Sequence, residues 1–251
     1  MMEGMAALSE DEIAARSRRD AAGLINASPL RAQQITLTDY HFAWPGLDLP
    51  PIDQSKLLDY VLAQNGVFAR GKRPGLEVSM PISFNLQPIR GLQEAQSYVK
   101  WGFPKVPSSL LEGMISISRD VCSPSPREAL FYLTWSLLVE PGQDQIDGDG
   151  GWKLYYPDQD ASDQSVRAVD GGFGSSNEHA VIELHSHHEM PADFSETDDE
   201  AETGGFRIYT VIGRLFSQPE IRARVGLWGH YWEFPAREFF ELPNWVRDCV
   251  A

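Results

Sequence analysis

The apolar run AVIEL (180–184) passes directly into HSHHEMPADFSETD (185–198). Few chain paths accommodate both. The apolar, branched run reads as a strand. Pro191 forbids a helix across the gap that follows. Ser195, with Asp198 three residues later, marks a helix start. The sequence therefore predicts a strand, a return, and a helix over SETDDEAE (195–202) with Ser195 as its cap. Residues two apart on a strand point the same way, so His185 and His187 share one face at the strand end. Ser195 and Asp198 share the first helical turn nearby. Residues 183–202 hold three histidines and eight carboxylates. A solvated acidic loop needs no histidines, and a buried strand does not tolerate such charges unless something neutralises them. A His pair with a third ligand, supplied by Asp198, suits a catalytic Zn²⁺ with water in the fourth position.

Before this stretch, SEDEIAARSRRDAAGLI (9–25) reads as a solvent-facing helix with Ser9 and Glu12 as a capping box. Strand-like pieces follow at 35–40 and 76–86, and ARGKRPG (69–75), the one basic patch, reads as an exposed loop. Residues 107–122 read as a helix opened by Pro107, with Leu110, Leu111, Met114, Ile115 and Ile117 on one side. EALFYLTWSLLVE (128–140) reads as a buried strand, PGQDQIDGDGG (141–151) as a turn, and WKLYYP (152–157) as the returning strand. A short strand is expected at 165–169, and further strands at 206–215 and 220–228. The fold class is α/β (α+β-like): a mixed β-sheet sandwiched by helices, without an internal repeat. Residues 1–104 form an N-terminal extension or small domain, and 105–251 carry the chemistry.

A formal net charge of −15 leaves no basic stripe for phosphates, so no nucleic-acid partner is expected. Cys122 and Cys249 lie far apart without a CxxC, which fits a reducing compartment. The N-terminus lacks the features of a signal peptide, and ALFYLTWSLLV (129–139) is too short to span a bilayer. No membrane partner is expected, and the expected location is the cytoplasm.

The spacing His-x-His, seven residues, Ser, two residues, Asp resembles the signature of the JAMM (JAB/MPN-type) zinc metalloproteases at every fixed position. Chance would produce it on the order of once per thousand chains or less. The resemblance implies a JAB/MPN-type, cytidine-deaminase-like core. It implies one Zn²⁺ held by His185, His187 and Asp198. It also implies a glutamate acid/base where a helix gives way to a strand, a place that Glu128 takes, and a polarising hydroxyl from Ser195. Glu140 competes with Glu128, but twelve residues of strand separate them by roughly 40 Å, so only one reaches the metal. His188 has no slot in the motif and, with Asp199, falls to a supporting or surface role. Asp199, Glu200 and Glu202 read as a solvated helix face. The wider stretch, with GFRIYTVIGRL and PEIRARVGLWGH, is similar to the JAMM proteins of the bacterial PRTRC cassette. That cassette also encodes an activating-enzyme-like and a ubiquitin-like protein. The similarity implies a peptidase or isopeptidase acting at the C-terminus of a ubiquitin-like partner.

Other motifs fall away. His188-Glu189 is no zincin helix, because position 192 is alanine. The PCxxC of zinc deaminases is absent. DQIDGDGG (144–151) lacks the ligand order of a calcium loop, and GGFGSSN (171–177) lacks a dinucleotide loop's third glycine and reads as a flap. Trp135, Trp152, Trp228 and Trp232 read as packing residues. Two further functions stay open at this point. One is a non-catalytic MPN-type scaffold holding a ubiquitin-like or activating-enzyme partner. The other is a zinc amidohydrolase of small molecules.

Overall fold

A computed structural model describes residues 37–85, 87–123, 125–135, 146–147, 151–169 and 177–249. They belong to one compact unit, Leu37–Ala251. The expected helix at 9–25, Glu140 and most of the 141–151 and 171–177 segments lie outside the described residues.

Five strands open the described chain: β1 (Thr38–Phe42), β2 (Leu58–Ala63), β3 (Gly66–Arg73), β4 (Leu76–Phe84) and β5 (Tyr98–Trp101). They form a sheet in that order, parallel only between β1 and β2. Helix α1 (Ser108–Val121) follows, then β6 (Leu130–Trp135), β7 (Ile146–Asp147), β8 (Trp152–Tyr155), β9 (Gln159–Ala161), β10 (Val166–Ala168) and β11 (Ile182–Ser186). Helix α2 (Glu196–Glu202) leads to β12 (Phe206–Gly213), β13 (Glu220–Leu227), β14 (His230–Phe234) and β15 (Arg247–Asp248). The second sheet runs β14-β13-β12-β11-β6-β8-β7, with β15 beside β13. It is mixed, because β11 lies parallel to β12 and antiparallel to β6. β9 and β10 make a separate hairpin.

Period-two alternation gives the large sheet two unlike faces. One carries Phe131 and Leu133, Ile182 and Leu184, Ile208 and Ile212, and Ala223 and Val225, in cross-strand register. α1 buries Leu110, Leu111, Met114 and Ile115 in the same cluster. Leu58, Ala69, Leu76, Val78 and Met80 of the five-stranded sheet join it. Each fully buried Val, Leu, Ile, Phe or Met among them contributes about 1.5–3 kcal/mol. Ser118, four residues after Met114, completes the buried stripe of α1, and Ile117 is only partly buried. Trp152 is stacked on Trp101 and edge-on to Trp135. Trp228 and Trp232 pack against the cluster from its margin.

The opposite face carries Tyr132, Glu183, His185, Arg207, Tyr209, Arg222 and Arg224. Such a face stays folded only if it is covered by groups that answer its charges. α2 supplies carboxylates, and the β9–β10 hairpin packs Val166 and Ala168 against Leu130 and Tyr132.

The large sheet is mixed, as expected, with one helix on each face. Two α-helices occur among the described residues, and a second sheet takes the place of further helices on the apolar face. ARGKRPG is not an exposed loop but the end of β3 and its turn into β4. Arg70 is 5% exposed and paired with Asp59 at 1%. Alternation of Ala69, Arg70 and Gly71 with burial on both faces hid the strand, because a charged pair replaces the expected apolar residue. Within the expected turn, Ile146–Asp147 pair with β8.

Candidate metal centre

Parallel neighbours β11 and β12 require a crossover, and α2 is that connection. The crossover puts the start of α2 at the C-terminal end of β11, where the histidines are. His185 is the fourth residue of β11. His187 lies one residue beyond the strand, and its N–H continues the ladder by donating to Ile212 O at 2.7 Å. The loop 190–192 crosses close over the end of β12. A Cβ on Gly213 would come within 2.4 Å of the Met190 carbonyl oxygen and of the Ala192 nitrogen, so only glycine fits there. His188 takes φ 32°, in the left-handed region, and turns its ring out to the Asp163 carbonyl, with Nε2 at 2.9 Å. It contributes no ligand atom to the centre.

Ser195 caps α2. Its Oγ accepts from the Asp198 N–H at 3.2 Å, and the Asp198 carboxylate accepts from the Ser195 N–H at 2.7 Å. The Ser195 hydroxyl also donates to Asp198 Oδ2, at 2.7 Å. One oxygen of Asp198 is thus occupied by the cap, and Oδ1 is left facing His185 Nε2 at 3.1 Å.

The two Nε2 atoms of His185 and His187 stand 3.1 Å apart. Pro191 O lies 3.3 Å from His187 Nδ1. A carbonyl only accepts, so Nδ1 carries the proton and Nε2 presents its lone pair. Ligand atoms of His185, His187 and Asp198 all lie within 4.8 Å of one another. Around Zn²⁺ at its usual N and O bond lengths, tetrahedral neighbours are about 3.3 Å apart. Donor type, burial and spacing therefore fit zinc.

Glu128, just before β6, is 2% exposed. Its N–H donates to Ser162 O in the β9–β10 hairpin, at 2.9 Å. Its Oε1 lies 3.9 Å from His187 Nε2. Burial pushes its carboxyl up to about 7, against the pull of His185. Burial alone would also raise Asp198, but the hydrogen bond and charge of His185 and the bonds from Ser195 hold it well below the usual range. Burial and His185 push His187 down to about 4. Burial disfavours the His185 imidazolium too, yet the Asp198 bond and charge leave His185 raised.

In the metal-free protein His185, raised above its ordinary value, keeps its proton at pH values below that ordinary value, and zinc must displace it. Zn²⁺ uptake near pH 6 is expected to release at least one proton per ion, and affinity to fall as pH drops through the raised value. Binding heats in buffers of different ionisation enthalpy measure this, and a buffer-independent heat contradicts it.

Sequence reasoning missed what holds α2 in place. Glu202 is 3% exposed, not solvated. Arg224 Nη2 and Nε donate to Glu202 Oε2 at 2.5 and 2.9 Å, and Nη1 donates to Asp199 Oδ1 at 2.6 Å. The guanidinium lies between the rings of Phe194 and Tyr231, 3.9 Å from each centroid. Glu200 alone of the three acidic residues is fully on the outside. The signal was present in EIRARVGL: Arg222 and Arg224 alternate within a strand and so require acidic partners on one face.

No curated protein matches the chain. The family model described as prokaryotic homologs of the JAB domain matches residues 114–226. That span runs from within α1 to near the end of β13. It takes in Glu128, the histidines, Ser195, Asp198 and the Arg224 clamp, so the similarity to prokaryotic homologs of the JAB domain covers the whole candidate centre.

Proposed function

We propose that the chain is a Zn²⁺-dependent peptidase or isopeptidase of the JAMM class, cutting an amide bond at the C-terminus of a ubiquitin-like protein. The observation that carries this is the convergence of His185, His187 and Asp198 on one point beside a buried glutamate whose carboxyl is held near 7. A scaffold needs neither the bare lone pair of His187 nor a buried acid at that spot. His185, His187 and Asp198 would hold the metal. When bound, Zn²⁺ would supply a Lewis acid that acidifies a water and polarises the scissile carbonyl. Glu128 takes the water's proton and returns it to the leaving amine, and a pKa near the working pH suits both transfers. Ser195 serves first as the cap. Turned from Asp198 Oδ2 toward the substrate, its hydroxyl would donate to the developing oxyanion. The ubiquitin-like substrate, and an activating-enzyme-like partner from the same cassette, rest on the resemblance of the sequence around the motif.

The test is hydrolysis of a ubiquitin-like protein carrying a C-terminal extension. Zinc-loaded protein is expected to release the extension, to stop after chelation and to resume when Zn²⁺ is restored. Zinc-loaded protein that cleaves neither this substrate nor a peptide copy of the junction would refute the proposal.

A further inference from the structure

Arg207 links two cavities that lie side by side on the polar half of the molecule. One, about 250 Å³, includes Tyr132, Glu183, Arg207 and Tyr209 in its wall. Glu183 lies two residues before His185 on β11 and on the same face, so this cavity adjoins the metal centre. The other, about 430 Å³, is lined by Lys56, Lys72, Arg73 and Arg207, with Glu178 as its only carboxylate among the described residues. Gly204 and Gly205 form part of both walls. A Cβ on Gly204 would meet nothing within 4 Å.

The wall of this cavity thus carries four cations in a chain of net charge −15. Three of them have carboxylate partners: Lys56 with Asp39 at 3.6 Å, Lys72 with Glu77 at 2.9 Å and Arg207 with Glu183 at 3.0 Å. Arg73 differs. Its Nη1 donates only to the carbonyls of Ala180 at 3.1 Å and Phe206 at 2.6 Å. Among the described residues no carboxylate pairs with it. Arg207 is 9% exposed, and among the described residues its Nε has no hydrogen-bond partner. That atom faces the bare side of Gly205, where an added Cβ would come within 3.2 Å of it. A buried donor without an acceptor, beside a guanidinium without an anion, is an incomplete site. Burial and the nearby Arg207 lower Arg73 to about 10, which still leaves it charged at neutral pH.

We propose that the cavity at Gly204–Gly205 is a carboxylate-binding subsite, in which Arg73 and Arg207 receive an acidic side chain of the peptide substrate. This rests on the proposed peptidase function and adds a substrate preference to it. Arg73 binds the backbone at Ala180, five residues before His185, or roughly 17 Å along the strand. An extended peptide covers that span in about five residues. The acidic residue therefore lies about five positions from the scissile bond.

The test is binding of fluorescein-labelled tetraglutamate and tetraglutamine peptides to the zinc-loaded full chain, read by anisotropy. Tetraglutamate is expected to bind about tenfold more tightly. Arg73→Met and Gly204→Asp are each expected to abolish that preference. Arg73→Met removes bonds to two carbonyls and can unfold the chain. Gly204→Asp enters open space, so it decides the matter if Arg73→Met does not fold, with the thermal midpoint as the check. Equal binding of the two peptides by the wild type would overturn the proposal, as would a preference that survives Gly204→Asp. Selective binding without cleavage of any ubiquitin-like substrate would keep the subsite and refute the peptidase function.

Discussion

Glu128→Gln is expected to keep its Zn²⁺ and to lose amide hydrolysis by about a hundred- to ten-thousand-fold, the range for removing a general acid/base. Glutamine keeps the shape and fills the same buried position, so the ligands around it stay in place. It cannot take a proton from water or return one to the leaving amine. Glu128 is suited to both because burial holds its carboxyl near 7. The loss should fall on kcat rather than KM, since the proposed acid/base would act in the transition state. Measured zinc content and kcat/KM on an extended ubiquitin-like substrate separate the outcomes. Full activity would place the acid/base elsewhere. Loss of zinc would make Glu128 a ligand.

Arg70→Met is expected to destabilise the fold by about 3–5 kcal/mol, the cost of leaving one member of a buried ion pair alone. Asp59 is 1% exposed and its carboxylate has Arg70 as its close partner, with His41 Nε2 farther off at 3.5 Å. Arg70 also donates to Pro50 O at 3.2 Å, tying the segment before β2 to the sheet. Urea unfolding measures the change. Arg70→Met combined with Asp59→Leu should recover much of it, because an apolar pair of similar volume replaces both charges. A single variant within about 1 kcal/mol of wild type would show that the pair is solvated and not part of the core.

Much of the site was legible because its elements have local signatures. Pro191 and Ser195 define a return and a helix start, and Ser195 caps α2 as expected, within a capping box that Asp198 completes. The His-x-His spacing needs only strand alternation, and β11 supplies it through His185 while His187 extends the ladder. What escaped depends on pairings distant in sequence. Glu202 looks like any exposed helix residue until Arg224, two strands away, is placed under it. Arg70 looks like part of a basic loop until Asp59 is known to face it across β2 and β3. In both cases a buried charge imitates a surface charge, and no local pattern separates them. The second sheet on the apolar face escaped for a similar reason. Leu76, Val78 and Met80 alternate as a strand should, but alternation does not say what lies opposite.

Zinc content per chain tests the central claim most directly, measured by elemental analysis on wild type, His185→Ala and Asp198→Ala after loading and removal of excess metal. The expected result is about one zinc in the wild type, as for a site of three protein ligands, and none retained by either variant with the fold intact. A well-folded wild type that retains no zinc, or variants that retain as much as the wild type, would contradict it.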